Sequence, residues 1–244
     1  MLKKSLLASS VAAVLSLGVM PAMAEEVAVV EIEEEAEGPN YVSATVGVSN
    51  LYLWRGLNLS DGKGSGSIYG SLDWSHDLGF YAGVWGASGD GSLGTEYDLY
   101  GGYTFETGDF FADIMFANYV YPEQDDEPFG DNTGSDVIVT LGFAGVEGSY
   151  TKRIAGGGYD DAYLTLGYSY AQFGATLGYQ HFADYEGDGE DANYTHLDVN
   201  YAFNDNLTFT VSKVVDRNSD AGTLADVAPD ATLFVVAYDM AFDL

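Results

Sequence analysis

From Tyr41 onward, apolar side chains recur at every second position. Val42, Ala44, Val46 and Val48 alternate with Ser43, Thr45, Gly47 and Ser49, and Tyr52 and Trp54 continue the even positions. Ile68, Leu72 and Trp74 repeat the pattern, as do Tyr97, Leu99, Tyr103 and Phe105. So do Phe110, Ile114, Phe116 and Val120, then Val137, Val139, Leu141 and Phe143. Leu164 to Tyr170, Phe173 to Tyr179, Leu197 to Phe203, Leu207 to Val211 and Phe234 to Leu244 follow. With two weaker runs at 80–87 and 146–153, the period predicts about twelve strands. Each is near the roughly 9–11 residues that carry a tilted strand across a bilayer.

The connections carry a second signal. Those at 76–79, 106–109, 144–145, 171–172 and 204–206 are short. Those at 55–66, 87–95, 122–134, 154–160, 183–193 and 216–230 are longer, Gly-rich and acidic. Short and long alternate throughout. A soluble sandwich has no reason to do this. An all-β, up-and-down antiparallel transmembrane barrel does, with short periplasmic turns and longer outer loops. An even strand count places both ends of residues 41–244 on the short-turn side.

Periodicity alone does not say which face points outward. A soluble barrel buries its apolar face inside, and a membrane barrel turns it to lipid. The polar face here is rich in Gly, Ser and Thr, unlike a Lys/Glu-rich soluble exterior. Tyr52, Trp54, Trp74, Tyr119, Tyr121, Tyr168, Tyr170 and Tyr179 fall near strand ends and read as interfacial girdles. The last strand ends on Leu244, a pattern similar to the C-terminal signal recognised by barrel-assembly machinery.

The first residues read as a processing signal. Lys3 and Lys4 precede an apolar run over 6–19, and Ala22-Met23-Ala24 forms a small-residue cleavage site. The expected organisation is a signal peptide at 1–24, a flexible acidic segment at 25–40 and a barrel at 41–244. Localisation in the outer membrane after cleavage follows.

Composition narrows the classes. There is no cysteine, which excludes a disulfide scaffold and Cys-ligated zinc. Eight basic residues against 38 acidic ones, a formal charge of −30, oppose nucleic-acid binding. The 14% aromatic content argues against an acidic disordered chain.

Four segments carry a family resemblance. Ser49-Asn50-Leu51-Tyr52-Leu53-Trp54-Arg55-Gly56-Leu57-Asn58-Leu59-Ser60-Asp61-Gly62 resembles the opening "SDYxxRGxSxSDG" of TorF-family porins. Gly79 to Gly86, Tyr97 to Tyr103 and Tyr119 to Pro122 are similar, in order and spacing, to that family's "GFYAGVWGS", "ExDLYGGY" and "YxYP". The likeness covers 41–122, with Asn50 in place of the family's usual Asp. It implies an outer-membrane channel and leaves the solute open.

The functional expectation is passive diffusion of small hydrophilic solutes. The alternatives are a structural or adhesive barrel with a plugged lumen, and more remotely a secreted soluble binding barrel. Glu96, Asp98, Asp113, Asp136, Asp161 and Asp198 are the lumen and selectivity candidates, since carboxylates in a narrow channel attract cations. The bland reading is that tyrosine hydroxyls or rim cations hold these acids and cancel their field. No cofactor is expected. Asp184, Glu186 and Asp188 mimic the start of a calcium loop, but Thr195 stands at its twelfth position, so no metal site is expected there. Catalysis is not expected, because His76, His181 and His196 fall on different strands or turns. The expected partners are outer-membrane lipid and lipopolysaccharide, assembly machinery and small solutes.

Overall fold

The computed structural model describes residues 39–60, 66–90, 94–124, 128–130, 133–156, 160–183, 191–218 and 231–244. The expected signal peptide, nearly all of the expected acidic segment, and Asp184, Glu186 and Asp188 lie outside the described residues.

Twelve antiparallel strands close into one barrel. They are β1 (Asn40–Ser49), β4 (Ser67–His76), β5 (Phe80–Asp90), β6 (Gly94–Thr107), β7 (Phe110–Val120) and β8 (Gly134–Phe143), followed by β9 (Val146–Ala155), β10 (Ala162–Tyr170), β11 (Phe173–Phe182), β12 (Ala192–Ala202), β13 (Leu207–Arg217) and β14 (Thr232–Asp243). Two further short strands, β2 (Leu53–Trp54) and β3 (Leu57–Asn58), pair only with each other. Sequence neighbours pair throughout the ring, and β14 closes it against β1 from Ser43↔Asp243 to Ser49↔Ala237.

The pleat fixes the two faces. Ile68, Leu72, Ile114, Leu141, Leu164, Leu166, Leu177, Val199, Val211 and Phe234 all point outward and are exposed. Their strand neighbours point into the lumen. An apolar exterior around a polar interior is the arrangement lipid demands. The short turns cluster at one end. Ala144 and Gly145 take φ of 50° and 82°, so both central residues are left-handed, as the right-twisted strands of a two-residue hairpin require.

The girdle expectation needs correcting. Trp74, Tyr168, Tyr170 and Tyr179 face outward and are exposed. Tyr52 and Tyr119 are buried inside, and Trp54 and Tyr121 pack with the same interior cluster. Tyr119 has the opposite parity to Ile114 and Phe116, and Tyr52 lies beyond the end of β1. Val120, read as part of the outer apolar run, is fully buried. On that same face Phe129 stacks on Phe116 with ring centroids 6.3 Å apart, and its backbone N–H donates to Asn118 Oδ1 at 3.0 Å.

Inside, tyrosines lie flat along the wall and reach carboxylates on other strands. Tyr69 donates to Asp239 at 2.5 Å, Tyr81 to both oxygens of Asp113 at 3.0 Å, and Tyr100 to Asp73. Glycine makes two of these spans possible. Tyr69, Gly47 and Asp239 form one row across β4, β1 and β14, and Tyr100, Gly83 and Asp73 form another across β6, β5 and β4. A Cβ on Gly47 or Gly83 would collide with the tyrosine crossing it. Gly83→Ala is therefore expected to destabilise the barrel by about 1–3 kcal/mol through overpacking. The check is the temperature at which the folded band disappears from heat-modifiable gel migration. An unchanged temperature would show that the wall absorbs the methyl group.

Candidate functional site: a hairpin inside the lumen

The connection after β1 turns inward. Asn50 ends the pairing of β1 with β14 by imitating backbone. Its Nδ2 donates to Phe234 O at 2.9 Å, and its Oδ1 accepts from Val236 N at 2.7 Å. Past that point the chain leaves the wall. Ser60 Oγ accepts from Tyr52 N at 2.5 Å, and Leu59 N donates to Tyr52 O at 2.9 Å, closing residues 52–60 into a compact loop. At its tip β2 and β3 pair Leu53↔Asn58 and Trp54↔Leu57. Arg55 and Gly56 make the turn with φ of 48° and 83°, the two-residue hairpin geometry again.

This hairpin fills the outer half of the lumen. Tyr52 and Leu53 are 1% exposed, Leu57 2% and Ser60 0%. Leu51 and Leu53 pack with Val235 on β14. Leu57 packs with Ala192 and Tyr194 on β12 and Val214 on β13. Tyr52 reaches the other way, its ring tilted against Trp85 on β5 with centroids 6.2 Å apart, and donates to Glu96 on β6 at 2.5 Å. Arg55 donates to Asp136 on β8 at 3.3 Å and to Gln180 on β11 at 2.8 Å. In the ring order β8 stands six strands from β14, the opposite side of a twelve-stranded barrel. One short loop thus bridges the lumen from wall to wall.

Arg55 is the centre of the contact set. Its guanidinium lies 4.6 Å from the ring centroids of both Trp54 and Tyr163. Tyr194 donates to its carbonyl at 3.0 Å. Asp136 also accepts from Arg153 at 2.5 Å and from Tyr119 at 3.1 Å. The space left beside the tip, bounded by Trp54, Arg55, Asp136, Arg153, Asp161 and Gln180, is about 20 Å³. That is on the order of one water molecule. Arg55, at the hairpin tip, and Arg153, two residues from the end of β9, both turn inward to Asp136.

The six carboxylates expected in the lumen separate into two levels. Glu96, Asp98 and Asp136 are buried around the hairpin, Glu96 also accepting from Tyr121 at 2.8 Å. Asp161 sits at the outer rim and accepts from Ala183 N at 2.9 Å. Asp113 and Asp198 lie closer to the short turns. Asp113 is held by Tyr81 and by Thr104 at 2.7 Å. It stands six residues along β7 from Tyr119, the residue paired with Asp98, a distance of about 20 Å along the strand. Asp98 and Asp113 therefore do not share one constriction.

Sequence reasoning passed over His196. It lies fully buried under the tip, where a Cβ on Gly56 would stand 2.5 Å from its Cβ. Its Nδ1 meets Asp198 at 3.0 Å and its Nε2 meets Tyr163 OH at 2.8 Å. His196 and Asp198 stand two residues apart on β12, but Tyr163 joins them only through the register of β10, β11 and β12.

A family profile described as "Bacterial protein of unknown function (Gcw_chp)" matches residues 33–228. The chain belongs to that family. The matched span runs from β1 through β13 and includes the whole hairpin. No curated protein matches. Among solved structures, a chain from "Unveiling the Mechanism Behind the in-meso Crystallization of Membrane Proteins" is similar at 13% identity and a TM-score of 0.50, covering 84% of each chain. "KdgM porin" aligns at 9% identity and a TM-score of 0.47 over 83% of this chain and 99% of its own. The "COG4313 outer membrane channel from Pseudomonas putida F1" aligns at 13% and 0.41, over 90% and 100%. At 13% identity the likeness to the first of these is one of fold.

Proposed function

We propose that the protein is an outer-membrane channel of the TorF-porin type for passive diffusion of small hydrophilic solutes. Cations are preferred, and the β2–β3 hairpin is the movable constriction. The apolar exterior supports insertion in lipid, with lipopolysaccharide and the assembly machinery as partners at the membrane. The observation that carries the ion preference is the lining below the hairpin. Asp73, Asp113, Glu147, Asp198 and Asp239 face the lumen there, and among the described residues no Lys or Arg joins them. The lumenal cations Arg55 and Arg153 stand above, both held by Asp136.

The Tyr69, Tyr81 and Tyr100 hydroxyls hold the Asp239, Asp113 and Asp73 carboxylates in place along the wall. In a narrow channel such charges concentrate cations. The reversal potential of the refolded protein in a KCl gradient is expected to have the sign of cation selectivity and to fall when salt screens the carboxylates. Asp113→Asn with Glu147→Gln is expected to reduce it. An anion-selective parent, or an unchanged preference in the variant, would overturn the assignment.

The hairpin gives specific support to a second reading, a structural barrel with a closed lumen. Absence of any conductance, both in the parent and after release of the hairpin, would establish it.

A further inference from the structure

Three polar atoms on the lumen wall stand in one row with no hydrogen-bond partner among the described residues: Thr176 Oγ1 on β11, Asp198 Oδ2 on β12 and Ser212 Oγ on β13. The register sets them side by side, Thr176 opposite Asp198 and Asp198 opposite Ser212. They are 6%, 1% and 0% exposed. Their strand neighbours Leu177, Leu197, Val199 and Val211 point to the outside, so all three face inward. The other Asp198 oxygen is taken by His196, whose second nitrogen is taken by Tyr163. The imidazole is therefore committed at both ends and does not turn to cover Oδ2.

A buried carboxylate oxygen without a donor is costly, and such an orphan in a native wall calls for a ligand. The two hydroxyls beside it offer lone pairs as well as protons. An oxygen-only set selects a hard cation over zinc or copper, which favour nitrogen and sulfur. Charge and ligand number select the valence. Calcium takes six to eight oxygens and magnesium keeps a near-ideal octahedron. One carboxylate between two neutral hydroxyls balances a single positive charge.

We propose that the Thr176–Asp198–Ser212 row binds a partly dehydrated monovalent alkali cation. Its role as a stepping site for permeating cations rests on the channel reading; the binding itself does not.

The test is crystallographic. Full-length barrel crystals equilibrated with thallium(I), an alkali-ion mimic with strong anomalous scattering, are expected to show an anomalous peak beside Asp198 Oδ2 and both hydroxyls. Asp198→Asn is expected to abolish it. Thr176→Val with Ser212→Ala keeps the carboxylate and the side-chain volumes, and is expected to lower its occupancy several-fold. The double variant carries the comparison if the Asn variant fails to fold. Absence of the peak from the parent at saturating thallium, or its persistence in Asp198→Asn, overturns the site. Conductance without the peak removes the site and leaves the channel. The peak without conductance keeps the site and removes the channel.

Discussion

Gly56→Val combined with Arg55→Ala is expected to raise single-channel conductance at least several-fold. Gly56 holds a φ of 83°, and any Cβ there meets the His196 side chain on β12. A branched residue is strained at that φ and has no space in that direction. The hairpin tip must therefore move away from the wall. Arg55→Ala removes the hydrogen bonds to Asp136 and Gln180 and the stacking on Trp54 and Tyr163. A hydrogen bond to a charged group is worth about 1.5–3 kcal/mol, and a shielded cation–π contact adds about 0.5–2 kcal/mol. The terms are not additive, yet a loss of about 3 kcal/mol moves a two-position equilibrium roughly a hundredfold. Asp136 keeps Arg153, so the wall itself is not left with a bare buried charge. The measurement is conductance and open time in planar bilayers, with folding confirmed by heat-modifiable migration. A folded variant with the parent's conductance would show that the hairpin is not what limits flow.

Much of the barrel was legible because lipid and the pleat impose a simple code. Ile68, Leu72, Ile114, Leu166 and Phe234 were read as one face, and they are the outer face. The turn at 144–145 was legible because a two-residue connection ending in glycine has few alternatives. The hairpin was not. Tyr52 and Trp54 resume the even-numbered apolar run of β1 after Asn50, so periodicity joined them to the strand. The change of course comes at Asn50, whose side chain pairs with β14 backbone 184 and 186 residues away. A trace of it was present. Leu51, Leu53, Leu57 and Leu59 are too apolar for an outer loop, and Arg55-Gly56 sits between them as a two-residue turn. The candidate carboxylates were placed on the lumenal face from parity alone. Their division into two levels was hidden, because depth depends on strand stagger and tilt, and their tyrosine partners lie on other strands.

Removal of residues 234–244 is expected to abolish insertion of the barrel. β14 is the closing strand, paired to β1 through 237–243 and to β13 through 232–238. Its loss opens both edges at once. Each backbone group left unpaired in hydrocarbon costs several kcal/mol, and only a closed ring satisfies them all. A membrane barrel has no water at that depth to substitute. The deletion also reaches the lumen. Asp239 is the acceptor for Tyr69, and Val235 packs with Leu53 of the hairpin. Asn50 would lose the β14 backbone groups that turn the chain inward. Wall and constriction therefore fail together. The measurement is the amount of truncated chain recovered in the outer membrane, and whether any of it migrates as a folded band before heating. Loss of that band is expected even where some chain remains in the envelope. A truncated chain that accumulates and migrates like the parent would mean that β1 and β13 close the ring without β14, contrary to the pairing that defines this barrel.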